Sequence, residues 1–221
     1  MIGVDARRLR RRGSNIGEER IIAEWVQRAP PRHRFYVDIA AGDGVTMSNT
    51  QAFARGHWDG LAVEADPHAF AQLARAYTRR HPRVRLAQTL VTPDNVVVLL
   101  QTHGVPPDFG VLSLDIDGYD YFVLVRLLEA FRPALICAEI NEAIPPPVKF
   151  TVTYRADHVW AKDHFFGQSL APTASRACRG TGKWSFSKDS HPTKSSRHSM
   201  RASPATPGAS SARSDTATAA C

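Results

Sequence analysis

Tyr36-Val37-Asp38-Ile39-Ala40-Ala41-Gly42-Asp43-Gly44 decides how the rest of the chain is read: a short apolar run that gives way to a turn, with two acids and two glycines in nine residues. A buried parallel strand reads as a continuous apolar run because both of its faces are covered. Glycines directly after it let the backbone turn tightly and come close to a ligand. Asp38, Ala40, Gly42 and Gly44 set an acid and then small residues at every second position. The dinucleotide pattern G-x-G-x-x-G fits less well. Counting from Gly42 and Gly44 puts Met47 where a third glycine would let helix and strand pack closely.

Working outward, residues 46–54 read as the first crossover helix and Leu61-Ala62-Val63 as a second strand, ending at Glu64-Ala65-Asp66-Pro67. An acid at the tip of the second strand, about twenty residues past the glycines, is placed to accept hydrogen bonds from ribose hydroxyls. Glu64 takes that role in this reading, and Asp66 stands either beside the same ligand or as the cap of a helix opened by Pro67. Helix 67–80 and strand 83–87 follow. The loop from Thr89 to Asn95 would lie near the base of a bound nucleotide, where Asp94 and Asn95 are either base contacts or turn residues. On the other side of the glycine turn, Asn15 and Glu18 have capping-box spacing. Ile21, Ile22, Trp25 and Val26 then form one face of a helix over 17–28, which either closes over a ligand or covers the sheet.

The densest chemistry lies at the ends of the fourth and fifth strands. Strand 109–114 runs into Asp115-Ile116-Asp117-Gly118-Tyr119-Asp120, helix 121–131 follows, and strand 134–138 ends in Glu139-Ile140-Asn141-Glu142. Strand tips on this edge of a doubly wound sheet are where ligands bind. Asp115, Asp117, Glu139 and Asn141 are therefore the candidate catalytic residues. They can hold a divalent cation, supply a general base for a substrate hydroxyl, or serve as turn and cap structure.

With these pieces in place, residues 35 to about 170 resemble a class I S-adenosylmethionine (SAM) dependent methyltransferase, near the FkbM-type and related branch. The residues that carry the resemblance are Val37 to Gly44, Val63-Glu64-Ala65-Asp66, Leu112-Ser113-Leu114-Asp115-Ile116-Asp117-Gly118, and Pro133 to Pro147 with its Glu139-Ile140-Asn141. The resemblance implies an α/β fold with a doubly wound, mostly parallel sheet of Rossmann-like type, SAM as cofactor, and O-methylation of a small-molecule or sugar hydroxyl. It places Asp38, Ala40, Gly42, Asp43, Gly44, Glu64, Asp66 and Asp115 at the cofactor, with Asp115 beside the sulfonium or the acceptor. A divalent cation is left open. Ala40 departs from the family pattern, which has glycine there.

The formal charge of +7 is unevenly spread. Residues 1–34 carry nine Lys/Arg against four acids and residues 176–221 eight against two, whereas residues 35–175 carry eleven against fifteen. An acidic middle argues against a groove that follows nucleic-acid phosphates; residues 1–16, with Arg7, Arg8, Arg10, Arg11 and Arg12, read as a solvated arm. No apolar segment approaches the roughly twenty residues of a membrane span, and Cys137, Cys178 and Cys221 lack paired spacing, so a cytoplasmic protein is expected. The segment from Lys149 to Gln168, with Phe150, Tyr154, His158, Trp160, His164, Phe165 and Phe166, reads as a substrate-facing loop or as satisfied structure.

The methyltransferase-like domain is expected over 17–171. Beyond it, residues 172–221 lose periodicity and turn to Ser, Thr, Ala, Pro and Arg, which predicts a disordered tail. A sheet lacking its last two strands and uncovered at strand five follows from that. The change of composition in mid-domain is what a shifted reading frame would produce, as would a genuine extension.

Overall fold

The computed structural model describes residues 18–155, 157, 166–172 and 183–187. The basic arm, His158, Trp160, His164, Cys178, Cys221 and most of the tail lie outside these.

The elements run α1 (Glu18–Arg28), β1 (Phe35–Ile39), α2 (Gln51–Arg55), β2 (Asp59–Glu64), α3 (Pro67–Tyr77), β3 (Val84–Gln88), α4 (Val96–Thr102), β4 (Val111–Leu114), α5 (Asp120–Ala130), β5 (Leu135–Glu139) and β6 (Lys183–Ser187). The strands lie in the order β3-β2-β1-β4-β5-β6, and every pairing is parallel. The chain winds outward from β1 to β3, then returns to place β4 on the other side of β1. The tips of β1 and β4 therefore flank a switch point, where a doubly wound sheet opens a crevice.

Alternation along the central strands sorts the core into two layers, as a period of two requires. Phe35, Val37 and Ile39 of β1, with Leu112 and Leu114 of β4, face α4 and α5 through Val96, Leu100, Val123, Leu124 and Leu127. Tyr36 and Val111 face the opposite way, among Phe53 of α2 and Leu73 and Tyr77 of α3. α1 belongs to this second layer through Ile22 and lies against β5. Its described residues are not among those lining the crevice described below, and its apolar face covers the sheet.

Two expectations are corrected. The first crossover helix is only Gln51–Arg55, not 46–54. Met47 takes a positive φ of 52°, and the Ser48 hydroxyl accepts from the N–H groups of Thr50 and Gln51, so side chains claim the donors an earlier helical turn would have used. In addition, Lys183–Ser187, inside the stretch expected to be a structureless tail, pairs with β5 along its whole length from Leu135↔Lys183 to Glu139↔Ser187. Lys-Trp-Ser-Phe-Ser alternates polar and aromatic residues, a strand pattern that the surrounding Ser and Thr obscured. The edge of β5 is thus paired, not bare. Among the described residues no helix is long and apolar enough to cross a membrane.

Candidate active site

The turn after β1 is fastened to its neighbours by backbone bonds. The N–H groups of Ala40 and Ala41 both donate to the Val63 carbonyl of β2 at 2.9 and 3.0 Å, and Gly44 N–H closes the turn onto the Ala41 carbonyl at 2.9 Å. Ala40, Gly42 and Gly44 all have positive φ, at 65°, 56° and 73°. A Cβ at Gly44 would come within 2.5 Å of Leu73 and 2.6 Å of Tyr77, so only glycine lets α3 pack there; at Gly42 a Cβ would meet nothing within 4 Å. Gly44 thus serves packing, while Gly42 borders open space.

Glu64 ties the first two strand tips together. One carboxylate oxygen accepts the Gly42 N–H at 2.8 Å and the other accepts the Asp66 N–H at 2.8 Å. A carboxylate offers about four acceptor sites, so two remain for ligand hydroxyls. Asp66 itself caps α3, accepting from Ala69 N–H at 2.7 Å. Asp43 is engaged in the same way, taking the N–H groups of Val45 and Thr46 and the Thr46 hydroxyl. Burial pushes the Asp43 carboxyl up, but the Thr46 and Val45 donors outweigh it and hold the carboxyl below its ordinary value. Asp38 lies beneath the turn, 6% exposed, and accepts the Thr50 hydroxyl at 2.6 Å. Burial raises its pKa from 3.8 to about 6, against hydrogen bonds from Thr50 and Ser113 that lower it.

Between the strand tips lies a crevice of about 450 Å³, ample for a small molecule. Ile39 and Ala40 form one wall, Val63, Glu64 and Ala65 another, Thr89, Leu90 and Val91 a third, and Asp115, Ile116 and Asp117 the last, with Met47 at the mouth. The structure therefore gathers Ala40, Glu64 and Asp115 around one space, with Gly42 one hydrogen bond away. Asp38, Asp43 and Asp66 support it from outside.

The turn after β4 is held differently. Asp120, fully buried, accepts the N–H groups of Ile116 at 2.8 Å and Gly118 at 3.1 Å. Burial raises its pKa despite these bonds. Asp115 and Asp117 follow on the same strand tip, and the buried Glu139 lies beside them: one oxygen from each of the three carboxylates lies within 4.8 Å of the others, a set suited to a hard cation or to proton transfer. Asn141 is 1% exposed and engages backbone groups. Its amide donates to the Phe166 carbonyl and accepts from Ala143 N–H, while Gln168 donates to the Glu139 carbonyl. Asn141 fixes the 166–168 loop beside β5.

The loop after β3 contributes Thr89, Leu90 and Val91, not Asp94 or Asn95. Asp94 is exposed and is not among the residues lining the crevice, and Asn95 folds back to accept from Thr92 N–H and donate to the Leu90 carbonyl. The apolar tip of the strand was the better signal. Phe150 and Tyr154 of the aromatic segment pack against the core, Tyr154 with its ring 5.3 Å from that of Tyr119.

No family model matches this chain, and no curated protein matches it. Among solved structures, a S-adenosylmethionine-dependent methyltransferase from Clostridium acetobutylicum aligns at a TM-score of 0.37 and 13% identity, over 52% of this chain and 45% of that one. The glycopeptide N-methyltransferase MtfA, complexed with (S)-adenosyl-L-methionine, aligns at 0.40 and 17%, over 78% and 83%. This chain spans less than half the length of the first. Similarity at that level carries no argument about the site, which is read from its own residues.

Proposed function

We propose that this chain is a SAM-dependent methyltransferase whose cofactor lies in the crevice between β1, β2 and β4. The observation that carries the reading is the charge of that crevice: Glu64, Asp115 and Asp117 line it, and among the described residues that line it none is basic. A nucleotide or dinucleotide brings phosphates, which bind at N–H groups of a helix N-terminus following the glycine turn. Here the helix starts only at Gln51, and the Asp43 carboxylate already occupies the N–H groups of Val45 and Thr46. An acidic crevice favours a nucleoside that carries positive charge and no phosphate. Glu64 has two acceptor positions left for ribose hydroxyls.

SAM supplies a methyl group activated by its positive sulfur. The protein must align an acceptor and, for an alcohol, accept its proton. Asp115 suits both, standing on the crevice wall within reach of Asp117 and Glu139. In O-methylation of a small-molecule or sugar hydroxyl, as in the FkbM-type branch, the S–CH3 bond breaks as the O–CH3 bond forms and the hydroxyl proton passes to the carboxylate. Asn141 would act by holding the loop beside Glu139.

Calorimetric titration of the full chain with S-adenosylhomocysteine, with NAD in parallel, tests this reading. Saturable binding of the first is expected, weakened about tenfold in Glu64→Gln, since a hydrogen bond to a charged group contributes about 1.5–3 kcal/mol. Binding of NAD alone, or of neither, overturns it.

A further inference from the structure

We propose that Tyr77, at the end of α3, is a positioning residue for the ligand-binding turn; this rests on the reading of that turn as a SAM site. Its side chain is 1% exposed, on the side of the turn away from the crevice, and its hydroxyl donates to the Gly44 carbonyl at 2.8 Å. Gly44 in turn closes onto Ala41 at 2.9 Å, and between them Gly42 donates to Glu64 at 2.8 Å. A shift of Gly44 therefore moves the amide that aims the Glu64 carboxylate. Ala40, at the start of this stretch, holds a positive φ of 65°, a conformation that an L-residue leaves unless held, while Gly42 and Gly44 take theirs without that cost. β2 holds one end of the turn through Val63 and Glu64, and the Tyr77 hydroxyl holds the other. The ring alone could pack against Gly44, so the hydroxyl is the separable part. A tyrosine in a helix that reads as core by spacing gives no sequence sign of this.

Tyr77→Phe in the full chain keeps the ring and removes the bond to Gly44, together with the hydroxyl's contacts to the Ser48 and Tyr36 side chains. Two readouts are needed. Amide hydrogen exchange over residues 41–45 of the unliganded protein should quicken about fivefold or more, while exchange in β4 and β5 stays within about twofold of wild type. S-adenosylhomocysteine should bind about fivefold more weakly, the effect of one ordinary hydrogen bond. Unchanged exchange in the turn, or exchange that quickens equally everywhere, overturns the proposal, and so does a variant that fails to fold, because the hydroxyl would then serve the fold and not the turn. A wild-type chain that binds no S-adenosylhomocysteine removes the ligand reading alone, and the exchange measurement still decides the role of Tyr77.

Discussion

The turns after β1 and β4 leave the sheet on the same edge, and each rests on a buried aspartate, yet they present opposite chemistry to the crevice. After β1 the buried acid, Asp38, takes a hydroxyl from Thr50, while the turn's own N–H groups go to Val63, Glu64 and Asp43. After β4 the buried acid, Asp120, takes the N–H groups of Ile116 and Gly118 itself, and Asp115 and Asp117 line the crevice. The carboxylates of the first turn shape backbone, whereas Asp115 and Asp117 of the second line the crevice. The division of labour across a switch point thus comes from which donors the buried acid satisfies.

The largest expected effect tests whether the acids lining the crevice are chemical. Asp115→Asn should lower methyl transfer by about 10²–10⁴, the range for losing a general base, while S-adenosylhomocysteine affinity changes less than about threefold. Equal losses in both would make Asp115 a cofactor contact and merge the two turns' roles.

The buried acids separate next, through pH. Native Asp38 keeps its proton between 3.8 and about 6, where the unfolded chain has lost it. Its contribution to stability is therefore fully present below about pH 4 and lost as pH rises through 6. The gap between those values corresponds to about 3 kcal/mol. Asp38→Asn should gain on wild type by up to that amount between pH 4 and pH 7 in urea melts, because the Thr50 and Ser113 hydroxyls can each donate or accept. Asp120→Asn should instead lose about 1–3 kcal/mol at pH 7, since backbone N–H groups only donate and the new amide leaves one of them without an acceptor. If both variants behave alike, the contrast between the two turns fails.

Most of the sheet was legible in the sequence because buried parallel strands are apolar runs punctuated by glycine, proline and acid. The place of Glu64 at the tip of the second strand, beside the glycine turn, was legible too, but its hold on the Gly42 and Asp66 N–H groups was not, because both partners are backbone. Asp43 and Asp66 were not separable from true ligand contacts, because a capping acid and a binding acid have the same side chain and differ only in which N–H lies nearby. β6 was hidden by its setting: five alternating residues among Ser, Thr and Arg gain strand structure only from an existing edge at β5. The role of Asp120 was invisible for a related reason, as its partners Ile116 and Gly118 are backbone groups that any sequence would supply.

The smallest effect concerns the strain stored in each turn. Ala40 and Asp117 both hold positive φ, at 65° and 52°. That region costs an ordinary L-residue about 1–2 kcal/mol, but aspartate visits it more readily because its short polar side chain can bond locally. Glycine removes the cost and adds unfolded-chain entropy of somewhat under 1 kcal/mol. Ala40→Gly should therefore stabilise the chain, by about 0.5–1 kcal/mol in chemical denaturation, whereas Asp117→Gly should fall within about 0.5 kcal/mol of wild type. A gain at Asp117 as large as that at Ala40 would mean that the acid is held there against its backbone preference, as expected of a residue kept for what it does to the ligand.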